Sequence, residues 1–324
     1  MIHRARPGML LAAAAAHFGR DLDFDLDRVA SIVAAARRSG ASLLVLPDGT
    51  LGGYLSDLRD PLDYRSEHYS YPPDALHSFD HDLPDGSPAP LTLSGRAPLA
   101  STDPLPAPDD LPPTLSRDDA IFDRVAELAG AMVVCLGYRE QADGLSYNAA
   151  VCLSGSGVHG RHRKVHLAPG EAAVYAPGDR FDAFDTPVGR LGMLIDYDKT
   201  FPESARTLAG KGATVLACLS AWPASLTDPA RRVTKDRQAR LFDLYDCARA
   251  AENQVVVVSA NQTGRTGALN FLGSAKVVGP GGEIRARTWD KAGLAVADID
   301  SASEVARVRR VLHHLAERRP NAYR

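Results

Sequence analysis

The stretch at residues 189–223, GRLGMLIDYDKTFPESARTLAGKGATVLACLSAWP, combines two apolar runs with the signals of a helix between them. Within it, residues 191–195 form a short apolar run that predicts a buried strand. Pro202 and Glu203 mark the start of a helix, because the first helical position needs no N–H and the helix dipole favours an acidic residue there. Residues 214–219 predict the next buried strand. The stretch is thus predicted to form a strand, a sharp turn, a helix and a second strand. The same order of elements at residues 10–47 predicts a βαβ unit in a parallel sheet.

Asp196 lies where the first of these strands ends and the chain turns toward the helix. A residue in this place is presented at the carboxyl edge of a parallel sheet, beside a helix N-terminus. Enzymes of the α/β class place nucleophiles and anion-binding groups at this edge. Asp196 is therefore the first candidate functional residue.

The composition limits the classes of function. Contents of 45% hydrophobic and 24% charged residues are typical of a globular protein. A net charge of -3 offers no basic surface to nucleic acid or to an acidic membrane, and no apolar run is long enough to span a bilayer. We therefore expect a small-molecule substrate or ligand, with no nucleic-acid or membrane partner.

The cysteines indicate the compartment. None of the four forms a CxxC pair and each lies in an apolar segment; they are Cys135, Cys152, Cys218 and Cys247. This pattern is typical of buried free thiols in a reducing compartment, so we predict a cytoplasmic protein.

The remaining hydrophobic patterns predict alternating strands and helices. Residues 10–16 fit a first strand better than a signal peptide, because the acidic sequence DLDFDLD follows at once. The other predicted strands are at residues 42–47, 131–137, 146–154, 253–260, 273–278, 284–287 and 295–299. The predicted helices are at residues 25–38, 120–129, 231–252 and 305–315, and residues 261–264 are expected to form a loop.

Residues 56–118 interrupt this pattern. The part from residue 72 to residue 113 contains eleven of the 22 prolines, which excludes a long helix or a central strand. We interpret the segment as an insertion at the carboxyl end of the second strand. It is either a lid over the site or a surface loop, and its histidine spacing fits no metal site.

The central stretch resembles the nitrilase, or carbon–nitrogen hydrolase, superfamily, whose corresponding segment is G-x-x-I-C-Y-D-x-x-F-P-E. The resemblance implies an α/β fold, a four-layer α-β-β-α sandwich of nitrilase type. It covers most of the chain as one domain, residues 1–324, outside the insertion at about 56–118, with a C-terminal tail at about 301–324. The family nucleophile is the cysteine of this motif, and Asp196 takes its place here.

Two further segments match the family's motifs. The sequence PDGTLGGY resembles the family's P-E-x-x-x-x-G-Y, so Asp48 takes the place of the general-base glutamate, although an aspartate can also stabilise a glycine-rich turn. Lys164 stands in an R-K-x-H-L context, where the family's catalytic lysine donates to the oxyanion, although a lysine in a basic run is often a surface residue. Glu171 is the candidate for a second family glutamate. The candidates for substrate contacts are Tyr54, Tyr197, Trp222 and Asn261.

The substitution of the thiol changes the chemistry that the site can perform. Attack of a carboxylate on an amide would form an anhydride, which is energetically uphill, so thiol-type covalent catalysis is disfavoured. Three hypotheses remain. In the first, Asp196 or Asp48 acts as base or nucleophile, with Lys164 as electrostatic stabiliser. In the second, the site is inactive. In the third, the carboxylates hold a metal ion, which we disfavour because Lys164 already supplies a positive charge.

The leading hypothesis is a hydrolase-like enzyme that acts on a small amide, nitrile or carbamoyl compound through non-thiol chemistry. The alternative is a catalytically inactive homologue that binds a small molecule or a protein. We predict no cofactor and no metal. The chain ends in an R-R-P-x-x-Y sequence that resembles a family tail used across a dimer, so we expect a homodimer or a higher homo-oligomer.

Overall fold

The computed structural model of the protein describes residues 9–58, 111–226 and 228–323. The helices in these ranges are α1 Leu22–Arg38, α2 Ile121–Ala129, α3 Pro202–Gly210, α4 Arg237–Asn253 and α5 Ser301–Val311. The first seven strands are β1 Leu10–Ala16, β2 Ala41–Val45, β3 Thr114–Leu115, β4 Val133–Ala142, β5 Leu145–Ser154, β6 Gly157–Arg163 and β7 Ala183–Thr186. The other seven are β8 Gly189–Ile195, β9 Val215–Ser220, β10 Val256–Thr266, β11 Leu269–Leu272, β12 Lys276–Val278, β13 Ile284–Arg287 and β14 Gly293–Asp298.

The main path of the sheet runs in the order β6-β5-β4-β2-β1-β10-β9-β8-β7. The strands from β4 through β2, β1, β10 and β9 to β8 pair in parallel, and the strands at both ends of the path pair antiparallel. The strand, helix and strand predicted from residues 189–223 are present as β8, α3 and β9, and the βαβ unit predicted from residues 10–47 is present as β1, α1 and β2. Because β2, β10, β9 and β8 run in the same direction, their carboxyl ends lie at one edge of the sheet. This edge brings together polar residues from distant parts of the sequence.

The alternation of side chains along β1 shows how the layers form. Leu11 and Ala13 pack with residues of β8 and β9, whereas Ala12 and Ala14 pack with residues of α1 and α2. On the other half of the sheet, Leu194 packs with α3 and α4 in a third cluster. The two sheet halves thus share one inner core, and a pair of helices covers each outer face. This is the predicted α-β-β-α sandwich.

Predicted and observed bounds differ for several elements, and three of these differences have a visible cause. The fourth helix begins at Arg237 instead of residue 231, because the side chain of Asp236 caps its N-terminus by accepting from the N–H of Gln238. Residues 261–264 are not a loop: β10 continues to Thr266 and pairs with β11. The last helix spans Ser301–Val311 instead of 305–315, with Asp300 as its N-cap.

The predicted insertion falls mostly on residues 59–110, which lie outside the described residues, so the choice between lid and surface loop is not tested. Its last part contains β3, which pairs with Arg139 and Glu140 of β4. Of the four cysteines, three are buried and Cys247 is only partly buried. None of the helices in the described ranges is long and apolar enough to cross a membrane.

Candidate active site

Asp48 lies three residues beyond β2, at the carboxyl edge of the sheet. Its N–H donates to the carbonyl of Ser220 at 3.3 Å, and its carbonyl accepts from Nε2 of Gln262 at 2.8 Å, so β9 and β10 both fix its backbone. Gly137 passes so close that an added Cβ would lie 2.8 Å from Cα of Asp48. The buried carboxyl accepts a hydrogen bond at Oδ2 from Nδ2 of Asn148, also at 2.8 Å.

Lys164 follows β6 directly and its side chain is fully buried. Its Nζ lies 2.6 Å from Oε2 of Glu171. Glu171 is itself fully buried and also accepts from the Tyr54 hydroxyl at 2.8 Å, from Asn148 Nδ2 at 3.3 Å and from the N–H of Ala168 at 2.6 Å. Glu171 therefore has hydrogen-bond partners at both oxygens and holds the ammonium of Lys164 in a fixed place.

Asp196 is the first residue after β8 and begins a 3-10 turn that spans Asp196–Thr200. Its φ of 47° lies in the left-handed region, which aspartate tolerates better than most residues with a side chain. Oδ2 lies 3.4 Å from Nζ of Lys164. Oδ1 is buried and has no hydrogen-bond partner among the described residues. The structure thus brings Asp48, Lys164, Glu171 and Asp196 together at one edge of the sheet.

Asp198 fixes the turn that carries Asp196. Its carboxylate accepts from three backbone N–H groups, those of Ile195, Val165 and His166, at 3.2, 3.2 and 2.9 Å. It is also within 2.9 Å of Nε2 of His162 and 3.0 Å of Nδ1 of His166. The hydrogen bonds that it accepts from the two histidines hold the pKa of Asp198 well below its usual range, against the effect of burial. Asp198 therefore ties the end of β6 to the end of β8.

Burial and charge set the protonation states. Burial raises the pKa of Asp48 to about 7, although the charge of Lys164 and the hydrogen bond from Asn148 act in the opposite direction. Burial also raises the pKa of Asp196, again opposed by Lys164. Burial alone would lower the pKa of Lys164, but the charge of Glu171, followed by those of Asp196 and Asp48, raises it. At neutral pH the site thus combines a fixed ammonium with a carboxyl group that can exchange a proton.

A second group of buried charges lies behind this edge. The Nζ atoms of Lys199 and Lys276 lie 2.8 and 2.7 Å from the two oxygens of Asp246, and all three residues are fully buried. Both ammonium groups also lie over the ring of Phe242, at 3.3 and 3.7 Å from its centroid. Lys199 belongs to the turn that begins at Asp196, Asp246 to α4 and Lys276 to β12, so this cluster joins three elements.

The residues predicted to contact substrate have different surroundings. Tyr54 donates to Glu171 and so belongs to the charged site. The side-chain amide of Asn261 bonds the backbone N–H and carbonyl of Trp222, at 2.8 and 3.3 Å. The ring of Trp222 packs against aromatic residues of α4. Tyr197 lies edge-on to the ring of Phe201 with centroids 5.2 Å apart.

Sequence reasoning missed Asn148, which bridges Asp48 and Glu171. The available signal is an amide residue in an otherwise apolar strand, directly before the run AAVCL. It also missed the cluster of Lys199, Asp246 and Lys276, whose signal is a charged residue inside an apolar pattern. No group of three or more His, Cys, Asp or Glu side chains in the described ranges is arranged to hold a metal ion.

The sequence profile of carbon–nitrogen hydrolases matches residues 10–309. The chain belongs to the carbon–nitrogen hydrolase family. This assignment confirms the resemblance found in the central motif.

Curated relatives in this family are nitrilases and amidases. A nitrilase of Pyrococcus abyssi is 35% identical over 179 residues, which are 54% of this chain and 62% of the relative. A probable nitrilase of Schizosaccharomyces pombe is 34% identical over 167 residues, 50% of this chain and 57% of the relative. An omega-amidase of Xenopus laevis is 31% identical over 215 residues, 63% of this chain and 73% of the relative. The chain thus aligns with less than two thirds of the length of the first two.

Solved structures of the carbon–nitrogen hydrolase family share the fold over almost the whole chain. The carbon–nitrogen hydrolase of Helicobacter pylori G27 has a TM-score of 0.71 at 23% identity, covering 98% of this chain and 97% of that chain. An amidase of Nesterenkonia sp. AN1, with the acetamide moiety of fluoroacetamide attached to its active-site cysteine, has a TM-score of 0.67 at 20% identity, covering 98% and 97%. These likenesses confirm the nitrilase-type sandwich.

Proposed function

We propose that this protein hydrolyses a C–N bond in a small amide or carbamoyl compound, with water instead of a thiol as the attacking nucleophile. The observation that carries the proposal is Asp48, a buried carboxyl group whose pKa is raised to about 7, linked through Asn148 to the pair of Glu171 and Lys164. A general base works best when its pKa lies near the working pH. The relatives named as amidases and nitrilases support this reaction class.

Asp48 takes the role of the base in this proposal. Asn148 donates to Oδ2, so Oδ1 of the ionised carboxylate is the oxygen that accepts a proton from water. The oxygen of that water bonds to the carbonyl carbon of the substrate. When the C–N bond breaks, Asp48 returns the proton to the departing nitrogen, which leaves as ammonia or an amine. Atoms and charge balance without a covalent enzyme intermediate.

Lys164 takes the role of electrostatic stabiliser. An ammonium group has three N–H donors, and Glu171 and Asp196 engage two of them. The third donor can bind the substrate oxygen and stabilise the negative charge that develops there. Fixed charges in a buried site stabilise such an oxyanion much more than in water. Asp196 is not required as a nucleophile, since its attack would produce an anhydride.

The experiment is a measurement of ammonia release from a panel of small amides, carbamoyl compounds and nitriles. We expect turnover by the native chain, with kcat/KM rising as the pH increases through about 7, because protonated Asp48 cannot accept a proton. Asp48→Asn and Lys164→Met are each expected to lower kcat on the order of a hundredfold or more. Asp298→Asn, an exposed change on β14, is the matched control and is expected to retain activity.

Full activity in Asp48→Asn would refute the role of Asp48. If the native chain releases no ammonia from any compound but binds members of the panel, the inactive binding homologue becomes the better hypothesis.

A further inference from the structure

The charges of the site do not balance. Two carboxylates, Glu171 and Asp196, contact the single ammonium of Lys164, and a third, Asp48, is linked to Glu171 through Asn148. Glu171 lies 2.6 Å from that ammonium and forms the close pair with it, whereas Asp196 is at 3.4 Å, beyond the 2.7–2.9 Å range typical of a strong charged hydrogen bond. When Asp48 is ionised as the base, two negative charges remain without a close positive partner.

The two oxygens of Asp196 differ in their environment. Oδ2 faces Lys164, but Oδ1 is buried without a partner among the described residues, in a residue that is only 5% exposed. Buried carboxylate oxygens normally accept hydrogen bonds, because an unpaired one loses its hydration without compensation. A group that satisfies Oδ1 must be an N–H or O–H donor, and a positively charged one also offsets the excess of negative charge.

The neighbouring charges do not remove this excess. Lys199, in the same turn as Asp196, is bound to Asp246 at 2.8 Å, and Lys276 is bound to both Asp246 and Asp243, so both ammonium groups already have carboxylate partners. Asp198 is matched by backbone donors and by His162 and His166. Among the described residues, these neighbouring groups therefore add no free ammonium beside Asp48 or Asp196.

We propose that the substrate of this site is a small amide that also carries a protonated amine, and that Oδ1 of Asp196 binds this amine. The inference rests on the amide hydrolysis proposed above. The substrate's carbonyl oxygen accepts from Lys164, water is held by Asp48, and the ammonium group donates to Asp196. The role of Asp196 is then recognition of a cationic substrate.

The test uses pairs of amides that have the same shape and differ in one group. Glycinamide carries an NH₃⁺ where propionamide carries a methyl group, and β-alaninamide is related to butyramide in the same way. Affinities are measured by calorimetry with the native chain at neutral pH, and ammonia release is followed in the same samples. We expect the cationic member of at least one pair to bind about tenfold tighter or better, as for hydrogen bonds between charged groups.

Asp196→Asn keeps the shape of the side chain and removes its charge. In this variant we expect the two members of a pair to bind within about threefold of each other, whereas the control Asp298→Asn keeps the native preference. Equal binding of both members of each pair to the native chain would overturn the inference, as would a preference that persists in folded Asp196→Asn. If this variant does not fold, the comparison in the native chain decides.

The same data separate this inference from the proposed reaction. Preferential binding of the amines without ammonia release would refute the hydrolysis and leave the recognition role of Asp196 in place. Hydrolysis of both members of each pair with equal KM would support the reaction and overturn the recognition role.

Discussion

Asp246→Asn tests how the chain supports the turn that presents Asp196. The native carboxylate accepts from the buried ammonium groups of Lys199 and Lys276, one at each oxygen. Asparagine keeps the volume but offers one acceptor oxygen and one NH₂ group, which points donors at an ammonium. We therefore expect a large loss of folded stability, because a buried charge is left unpaired.

The contacts that remain set the size of this loss. Lys276 retains Asp243 at 3.2 Å, whereas Lys199 keeps a long contact of 3.5 Å to Oγ of Ser259 and the faces of Phe242 and Trp222, with no other carboxylate partner among the described residues. The penalty therefore comes mainly from Lys199. Removing one partner of a buried ion pair costs about 3–5 kcal/mol. The cation–π contact with Phe242 persists in the variant and does not offset that cost.

Urea unfolding followed by circular dichroism measures the effect. The control is Asp185→Asn, which removes an exposed carboxylate paired with Arg190 at 2.9 Å and should cost less than about 1 kcal/mol. Adding Lys199→Met to Asp246→Asn should recover much of the loss, because the unpaired ammonium is then gone. A loss below about 1 kcal/mol in Asp246→Asn, or no recovery in the double variant, would show that an unpaired Lys199 ammonium does not destabilise the fold.

Two further predictions concern pH and thiols. Burial raises the pKa of Asp48 from 3.8 to about 7, so the folded protein holds this proton more tightly than the unfolded chain does. The resulting contribution to the free energy of unfolding is full below pH 4 and is lost as the pH rises through 7; the total loss is up to about 4 kcal/mol. The difference in unfolding free energy between the native chain and Asp48→Asn should follow this curve, and a flat difference would contradict it. Alkylating reagents should leave ammonia release unchanged, because burial raises the pKa of Cys247 and the other three thiols are buried. This prediction would be wrong if activity were lost in step with the labelling of Cys247 and if Cys247→Ser protected the activity.

Patterns that repeat over several residues predicted most of the fold. The apolar run before Asp196, the proline of α3 and the β-branched residues of β10 specify their elements locally. The start of α4 could not be found in this way, because the cap at Asp236 depends on its contacts with Ser225 and Ala230 across a loop. The extension of β10 depends on its pairing with β11, which is a tertiary feature.

The site was predictable only where a motif surrounds the residue. Asp48, Lys164 and Asp196 stand in matched contexts at strand ends, and parallel strand ends share one edge of a sheet. Asn148 and Lys276 stand in no such context, and their partners are more than 20 residues away in sequence. Contacts of this kind follow from the packing of the layers and cannot be deduced from local patterns.

Glu171 and Asp196 lie beside the same ammonium, but they differ in how far folding satisfies their oxygens with hydrogen bonds. Glu171 accepts from a hydroxyl, an amide, a backbone N–H and Lys164, so folding itself satisfies both of its oxygens. Asp196 is held in a left-handed conformation by the turn that Asp198 stabilises, and folding leaves its Oδ1 unpaired. Strained backbone and an unsatisfied buried oxygen both lower stability. A bound substrate that donates to Oδ1 would supply the missing hydrogen bond and so recover the stability that the unpaired oxygen costs. This arrangement of Asp196 is therefore suited to substrate binding.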